Sequence, residues 1–394
     1  MSLRNVTFDE AREEMLSRAP LPEAEPVPLE GLAGRRLARD LRARVDNPAF
    51  TNSAMDGFAV RSADAAEGLP LRIVGESRAG APFGGILSAG EAVRISTGAV
   101  LPDGLDAILR VEDAEEAGGL VTARVPPPQG AFVRRRGEDV RRGDLLLPAG
   151  HRVAPHEVAT IAAMGHGEAL CDRRLRVGVL GSGDEVVTQD QVLAPGQVYD
   201  ANRPGIAAQA RAAGAVVLGT GIVRDDRAAT VAAVRAALDF DPAPDLLITT
   251  GGVSVGPHDH LRPAFEAAGV EEVLFGVQIR PGHPLWLGVR GRQVVIGLPG
   301  NPVSAAVCFH AFARPLLSVD DDWSTTMPLA VAYTKPTPRT ELIRCREEGG
   351  ALAPMARQAS HDVTSLAGAS HLAVIPSEAE RLEAGERVRC CRLA

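Results

Sequence analysis

The sequence predicts a multidomain chain that joins an α/β region to β-rich regions. Three observations carry this expectation. The 394 residues exceed what one hydrophobic core usually serves and point to about two to four domains of ~150 residues. Between Leu175 and Leu317, apolar runs and helical patterns alternate, the mark of a mostly parallel sheet with helices on both faces. On either side, from Asp46 to Arg136 and again near the C-terminus, short β-like runs are separated by Gly, Pro and Asp clusters.

Taken in order, Phe8 to Arg18 reads as a helix, followed by a Pro-rich turn and a second short helix near Leu32–Leu41. The runs Phe58–Val60, Leu71–Val74, Ala92–Ile95, Ala107–Val111 and Leu120–Val125 form a small β-rich unit, and Pro126–Pro128 ends it. Leu175–Leu180 is an apolar strand that runs into Gly181-Ser182-Gly183. Asn202 is placed to cap a helix reaching Ala213. Val216–Val223 is a strand, and Asp225-Asp226 opens the helix that carries Val231, Val234 and Leu238. Asp245–Thr250 is a strand ending in Gly251-Gly252; Leu261–Ala268 is helical, Val273–Ile279 extended and Val294–Leu298 a buried strand. Asn301 caps the last helix, with Pro302 at its first position, where a missing N–H costs nothing. Leu372–Ile375 and Arg387–Leu393 return to β-like texture.

Composition narrows the function. A net charge of −8 argues against a general nucleic-acid binder. No run of ~18 apolar residues exists, so no transmembrane helix and no membrane role are expected. The N-terminus lacks the apolar core of a signal peptide. Five cysteines without CxxC spacing fit a reduced, cytoplasmic protein. Adjacent Cys390 and Cys391 would point to opposite faces of a strand rather than form a redox pair. Lys335 is the only lysine, so 41 of 42 basic residues are arginine. That bias matters only where a site normally needs lysine.

The strongest local signal is Thr249-Thr250-Gly251-Gly252-Val253-Ser254-Val255-Gly256, between a strand and a helix. Glycines there let backbone N–H groups approach an anion, and Thr250 and Ser254 add hydroxyl donors. No GxxxxGK[ST] occurs, and Gly181-Ser182-Gly183 lacks the third glycine of a dinucleotide fingerprint. A third loop, Gly297-Leu298-Pro299-Gly300-Asn301-Pro302-Val303-Ser304, also joins a strand end to a helix N-terminus. Three such loops in one parallel sheet gather at one edge, where their helix dipoles converge on an anionic ligand. Asp184, Glu185, Asp225, Asp226 and Asp259 follow the same strand ends. Carboxylates beside a phosphate repel it unless a divalent cation intervenes, and oxygen ligands plus phosphate suit Mg²⁺. The plainer reading of these acids is helix capping, above all for Asp226.

The ordered motifs NSAMDGFAV, STGAVLP, RGEDVRRGDLLLPAG, GSGDEVV, YDANRP, TTGGVSVGPHD, RPGHP and GLPGNPVSA resemble those of the MoeA family of molybdopterin molybdenumtransferases, which includes the E domain of gephyrin. The resemblance covers nearly the whole chain. It implies a linker domain over residues 1–45 and 137–172, a β-rich domain over 46–136, a molybdopterin-binding α/β domain over 173–320 and a C-terminal β-barrel over 325–394. It implies an elongated homodimer, and insertion of molybdate into adenylyl-molybdopterin with Mg²⁺-assisted release of AMP. Molybdopterin adenylyltransferase and molybdoenzyme maturation proteins would be its partners.

Carried over by motif, the family's functional positions fall on Asp56, Thr97, Asp139, Glu185, Asp225 and Asp259, with Ser360 in the C-terminal region. Asp225 and Asp259, with Glu185, would lie nearest the metal and phosphate. Asp56, Thr97 and Asp139 would contribute across the dimer. The loops supply Thr250, Gly251, Gly252, Ser254, Gly256, Pro299, Gly300, Asn301 and Ser304 for substrate. The sequence departs from the family's lysine-bearing KPGKP segment: Arg280 and His283 replace two lysines, and Gly276 stands where a third is common. Arg keeps a permanent charge and grips oxyanions with two donors. His is cationic only near or below pH ~6.5. This departure supports an alternative reading, a non-catalytic molybdopterin-binding or scaffolding paralogue.

Overall fold

The computed structural model describes residues 2–253, 259–317 and 323–393. The chain forms two compact units, Met1–Pro22 with Arg174–Ala394, and Glu23–Arg173.

In the first unit, β1 (Leu3–Val6) leads into α1 (Phe8–Ser17). A reciprocal capping box starts α1: Glu10 N donates to Thr7 Oγ1 at 3.3 Å, and Thr7 N donates to Glu10 Oε2 at 2.8 Å. The alternating elements follow as β2 (Arg176–Ser182), α2 (Asn202–Ala212), β3 (Val216–Val223), α3 (Arg227–Leu238), β4 (Leu246–Thr250) and α4 (Leu261–Ala267). Then come β5 (Glu271–Val277), β6 (Ile279–Arg280), β7 (Trp286–Arg290), β8 (Gln293–Leu298) and α5 (Pro302–Cys308). Seven strands form one sheet in the order β1-β5-β7-β8-β4-β2-β3. The β3, β2, β4 and β8 block is parallel, and β7 runs antiparallel to both its neighbours.

Strands buried on both faces read as continuous apolar runs, and β4 obeys this. Leu246 and Ile248 join one core with Ile206 and Ala210 of α2 and Val303 of α5, whereas Leu247 joins Val234 of α3 and Phe265 of α4 on the opposite face. Helices therefore leave the sheet to both sides, and β2 and β4 are neighbours whose following helices diverge. Ligands in open α/β sheets bind at such a switch point, beyond the strands' carboxyl ends. The fold thus places the glycine loops at the edge where ligands of such sheets bind.

The C-terminal region forms β9 (Thr326–Pro328), β10 (Thr340–Glu348), β11 (Ala351–Pro354), β12 (His371–Ile375) and β13 (Arg387–Arg392). Their pairing runs β11-β10-β12-β13-β9, and a bridge between Leu329 and Leu352 closes the round into a small barrel. Its interior holds Ile343, Leu352, Ala373, Val388 and Cys390. Cys391 faces the other way, into the α/β core, so the two adjacent thiols are separated by the strand. All five cysteines are buried. The lone lysine, Lys335, is buried too, and its Nζ donates to Ser377 O at 2.7 Å and to Pro376 O. It is a strut of the barrel. Strand β6 pairs in parallel with β10, Arg280 opposite Glu341, which stitches the RPGHP segment to the barrel.

The second unit carries a six-stranded sheet, ordered Ala107–Arg110, Gly57–Val60, Glu91–Ile95, Pro70–Ser77, Leu120–Ala123 and Ala114–Ala117. Beside it, Ala24–Pro28 pairs with Glu168–Asp172 and Leu41–Arg42 with Leu145–Leu147. Two expectations change here. Residues 32–41 are not helical: Gly34 turns at φ +78°, and Arg36 and Leu37 bridge to Arg152 and Cys171. Leu32, Leu37 and Leu41 are buried because this irregular stretch borders several partners, not because one helical face is apolar. Residues 1–22, expected with the linker domain, instead join the α/β unit, since β1 extends the seven-stranded sheet beside β5. Among the described residues no helix is long and apolar enough to cross a membrane.

Candidate functional site: an acidic cleft joined to a basic chamber

The three loops meet at the ends of β2, β4 and β8. Gly251 N donates to Leu298 O at 3.1 Å, and Ser182 Oγ donates to Thr250 O at 3.3 Å. Gly251 has φ +83°, and a Cβ on it would stand 2.9 Å from Ser182 Oγ. Only glycine permits both that backbone conformation and that approach. Asn202 Nδ2 donates to Gly300 O at 2.7 Å. Asn202 is therefore not the cap the sequence suggests. Ala201 holds that position, and the Asn202 amide ties α2 to the third loop.

The loops line a cleft of about 790 Å³. Glu185, Asp225, Thr250, Gly251, Gly252, Asp259, Pro299, Gly300 and Asn301 all face it, so most of the residues expected from one sheet edge are brought together. Ser254 and Gly256 lie outside the described residues. Asp225 and Asp184 hold the β3–α3 loop beside the loop after β2: Asp225 N donates to Asp184 Oδ1 at 3.2 Å, and Asp184 N to Asp225 Oδ2 at 3.4 Å. Asp226 takes the plainer role. Its carboxylate accepts from Ala229 N at 2.8 Å and caps α3. Among the described residues no three His, Cys, Asp or Glu side chains gather closely enough to hold a metal ion. Glu185, Asp225 and Asp259 share a cleft without forming a finished cage. Such sparse oxygen donors fit Mg²⁺, which keeps several waters and takes further ligands from substrate phosphate.

A second chamber of about 350 Å³ adjoins the cleft, sharing Pro284, Pro299, Gly300 and Asn301 with it. Arg280, His283, Ser304, Arg339 and Ser360 line it. Asn301 stands at the start of α5, yet makes no capping bond with its side chain. Its Nδ2 donates instead to Ser360 Oγ at 3.1 Å, joining the third loop to the C-terminal region. His283 Nδ1 lies 2.9 Å from Val277 O. A carbonyl can only accept, so the proton of the neutral ring sits on Nδ1. Gly276, read as a lost lysine, lines neither cavity. It turns at φ +82°, and a Cβ there would stand 2.6 Å from Asn5 Oδ1. It serves the seam between β5 and β1.

Arg339 was invisible in the sequence because it sits in no motif, just before β10. Asp200 and His361, both on the cleft, were missed as well. Asp200 belongs to the YDANRP motif, which is its signal in the sequence. It is buried, and its carboxylate accepts from Arg203 N at 3.1 Å and Nε at 2.7 Å.

In the second unit, Asp56 and Thr97 come together: Thr97 N donates to Asp56 Oδ1 at 2.6 Å and Thr97 Oγ1 does so at 3.1 Å. Asp139 accepts from Asn47 Nδ2 at 2.7 Å. These carboxylates hold hydroxyl, amide and backbone donors on exposed loops, so they are ordered and accessible.

The layout is that of a multidomain α/β protein whose glycine loops gather around a cleft at one sheet edge. Residues 6–165 match the MoeA N-terminal region (domain I and II), residues 178–319 the "Probable molybdopterin binding domain" and residues 326–392 the MoeA C-terminal region (domain IV). The chain is 35% identical to molybdopterin molybdenumtransferase of Synechococcus elongatus over 97% of this chain and 98% of that one. It is 38% identical to the Haemophilus influenzae protein of the same name over 79% and 77%. The crystal structure of a molybdopterin biosynthesis MoeA protein from Pyrococcus horikosii superposes with a TM-score of 0.88 at 29% identity, covering 99% of both chains. The chain belongs to the MoeA family of molybdopterin molybdenumtransferases.

Proposed function

We propose that this chain is a molybdenum insertase, taking molybdate and adenylyl-molybdopterin and releasing AMP. The carrying observation is the pairing of two chambers through shared Pro299, Gly300 and Asn301. The larger is rimmed by glycine backbone and carboxylates, as a phosphorylated pterin with a cation requires. The smaller is lined by Arg280, Arg339, His283 and the hydroxyls of Ser304 and Ser360, suited to a compact oxyanion such as molybdate. Asp225 and Asp259, with Glu185, would hold Mg²⁺. Bound there, the ion would neutralise phosphate charge as AMP leaves. The loops at β4 and β8 orient the ligand, and the Asn301–Ser360 contact fixes the boundary between the chambers.

Asp56, Thr97 and Asp139 are assigned to the same reaction from the partner copy of a homodimer. The reading also includes a reducing, cytoplasmic setting and supply of substrate by a molybdopterin adenylyltransferase.

Incubation with adenylyl-molybdopterin, molybdate and Mg²⁺ releases AMP on this account. Tight binding without AMP release would favour a scaffolding paralogue. Ser360→Ala should raise the KM for molybdate roughly tenfold with kcat little changed, because one hydroxyl and the Asn301 anchor are lost from the binding chamber alone. Steady-state kinetics over a molybdate series checks this.

A further inference from the structure

The oxyanion chamber contains an apparent contradiction. Arg280, the cation that replaces a family lysine, is held by a buried carboxylate. Glu341 is 2% exposed. Its Oε1 lies 3.0 Å from Arg280 Nη1, an ion-pair distance, although among the described residues Oε1 has no partner of hydrogen-bond geometry. The pair is therefore close but off-axis, and the guanidinium N–H groups are not spent squarely on Glu341. Strand register enforces the pairing, since Arg280 and Glu341 are direct partners in the β6–β10 ladder. On the other side, Tyr333 Oη donates to Glu341 Oε2 at 3.0 Å. Burial, with Glu341 beside it, pushes the phenol's pKa up and keeps it a donor. The buried guanidinium of Arg344 also feels the Glu341 charge.

Burying a carboxylate is costly unless its charge is matched, and a chamber meant only to grip an anion gains nothing from it. We propose that Glu341 is an affinity-setting counter-ion. It holds Arg280 in the chamber while cancelling part of its charge, so that an oxyanion binds and can still be passed on. This rests on the assignment of the smaller chamber to molybdate. The carboxylate touches no substrate and acts through Arg280, as a positioning residue.

Glu341→Gln keeps the shape and an acceptor for Tyr333 but removes one negative charge. Coulomb's law then sets the sign: molybdate alone, titrated into the full chain by calorimetry, should bind roughly tenfold tighter. The KM for molybdate should fall, and kcat should fall with it as release slows. The gain should vanish when Arg280→Gln is added, because the charge being cancelled is then absent. Tyr333→Phe moves the other way. It strips a hydrogen bond from the carboxylate, strengthens its hold on Arg280 and should weaken molybdate binding roughly two- to threefold. That variant tests the idea even if Glu341→Gln fails to fold. Equal or weaker binding by folded Glu341→Gln, or tighter binding by Tyr333→Phe, would overturn the counter-ion role. If Arg280→Gln binds molybdate as the unaltered chain does, the chamber assignment itself fails, which is a separate outcome.

Discussion

Asp225→Ala should lower AMP release by on the order of 10²–10³-fold, the loss expected when one preorganised electrostatic partner of a transition state is removed. The chain should stay folded. Asp225 is half-buried in the loop between β3 and α3, tied to the Asp184 loop by two long hydrogen bonds. Its neighbour supplies the control. Asp226 caps α3 through Ala229 N, so Asp226→Ala should cost about 1 kcal/mol of stability and leave turnover nearly intact. The two substitutions differ by one position and separate the proposed metal-holding role from the capping role. Thermal unfolding and AMP release, measured on both, decide the matter. Full activity in Asp225→Ala would move the cation elsewhere in the cleft.

The second large effect concerns acid stability. His310 is buried in the π-helical turn Phe309–Ala313, behind α5. Burial, aided by Arg314 and Arg12 and opposed by a bond to the Arg392 backbone, lowers its pKa from 6.5 to about 4. Among the described residues Nε2 has no hydrogen-bond partner, so a proton placed there is unsolvated. The folded pKa lies below the unfolded one. The contribution of neutral His310 is therefore complete above pH 6.5 and is lost as pH falls toward 4. The full window is worth about 3 kcal/mol, at ~1.4 kcal/mol per pH unit. Buried His371, also shifted down by burial, adds in the same direction. His310→Asn keeps a donor for the backbone and removes the titration. Its stability, measured by denaturant unfolding between pH 7 and 4.5, should fall less steeply than that of the unaltered chain. Parallel curves would show that His310 is not the acid-labile group.

The α/β alternation was legible because strands buried on both faces must be apolar throughout, and because their loops carry glycine for a geometric reason. Gly251 could be read from the sequence, since its positive φ and its approach to Ser182 leave glycine alone as suitable. The convergence of three loops was legible for the same reason. What the sequence hid lies in contacts between distant segments. Asn202 and Asn301 both look like helix caps, yet each spends its amide on another loop. Residues 32–41 carry leucines at near-helical spacing, but Gly34 and two bridges decide their conformation. Arg339 and Glu341 reach the site only because β10 pairs with β6, a pairing with no local signal. Gly276 is a backbone requirement, so the departure that bears on chemistry is confined to Arg280 and His283. The single lysine is a barrel strut.

On the proposed function, adjoining chambers couple loss of AMP to capture of molybdenum. The most direct test of this coupling is a single-turnover reaction of the purified chain with adenylyl-molybdopterin, Mg²⁺ and molybdate, counting AMP released and molybdenum retained on the dithiolene. One AMP should appear for each molybdenum retained, with both lost together in Asp225→Ala. Substrate that binds the cleft tightly while neither AMP nor a molybdenum–sulfur product forms would contradict it.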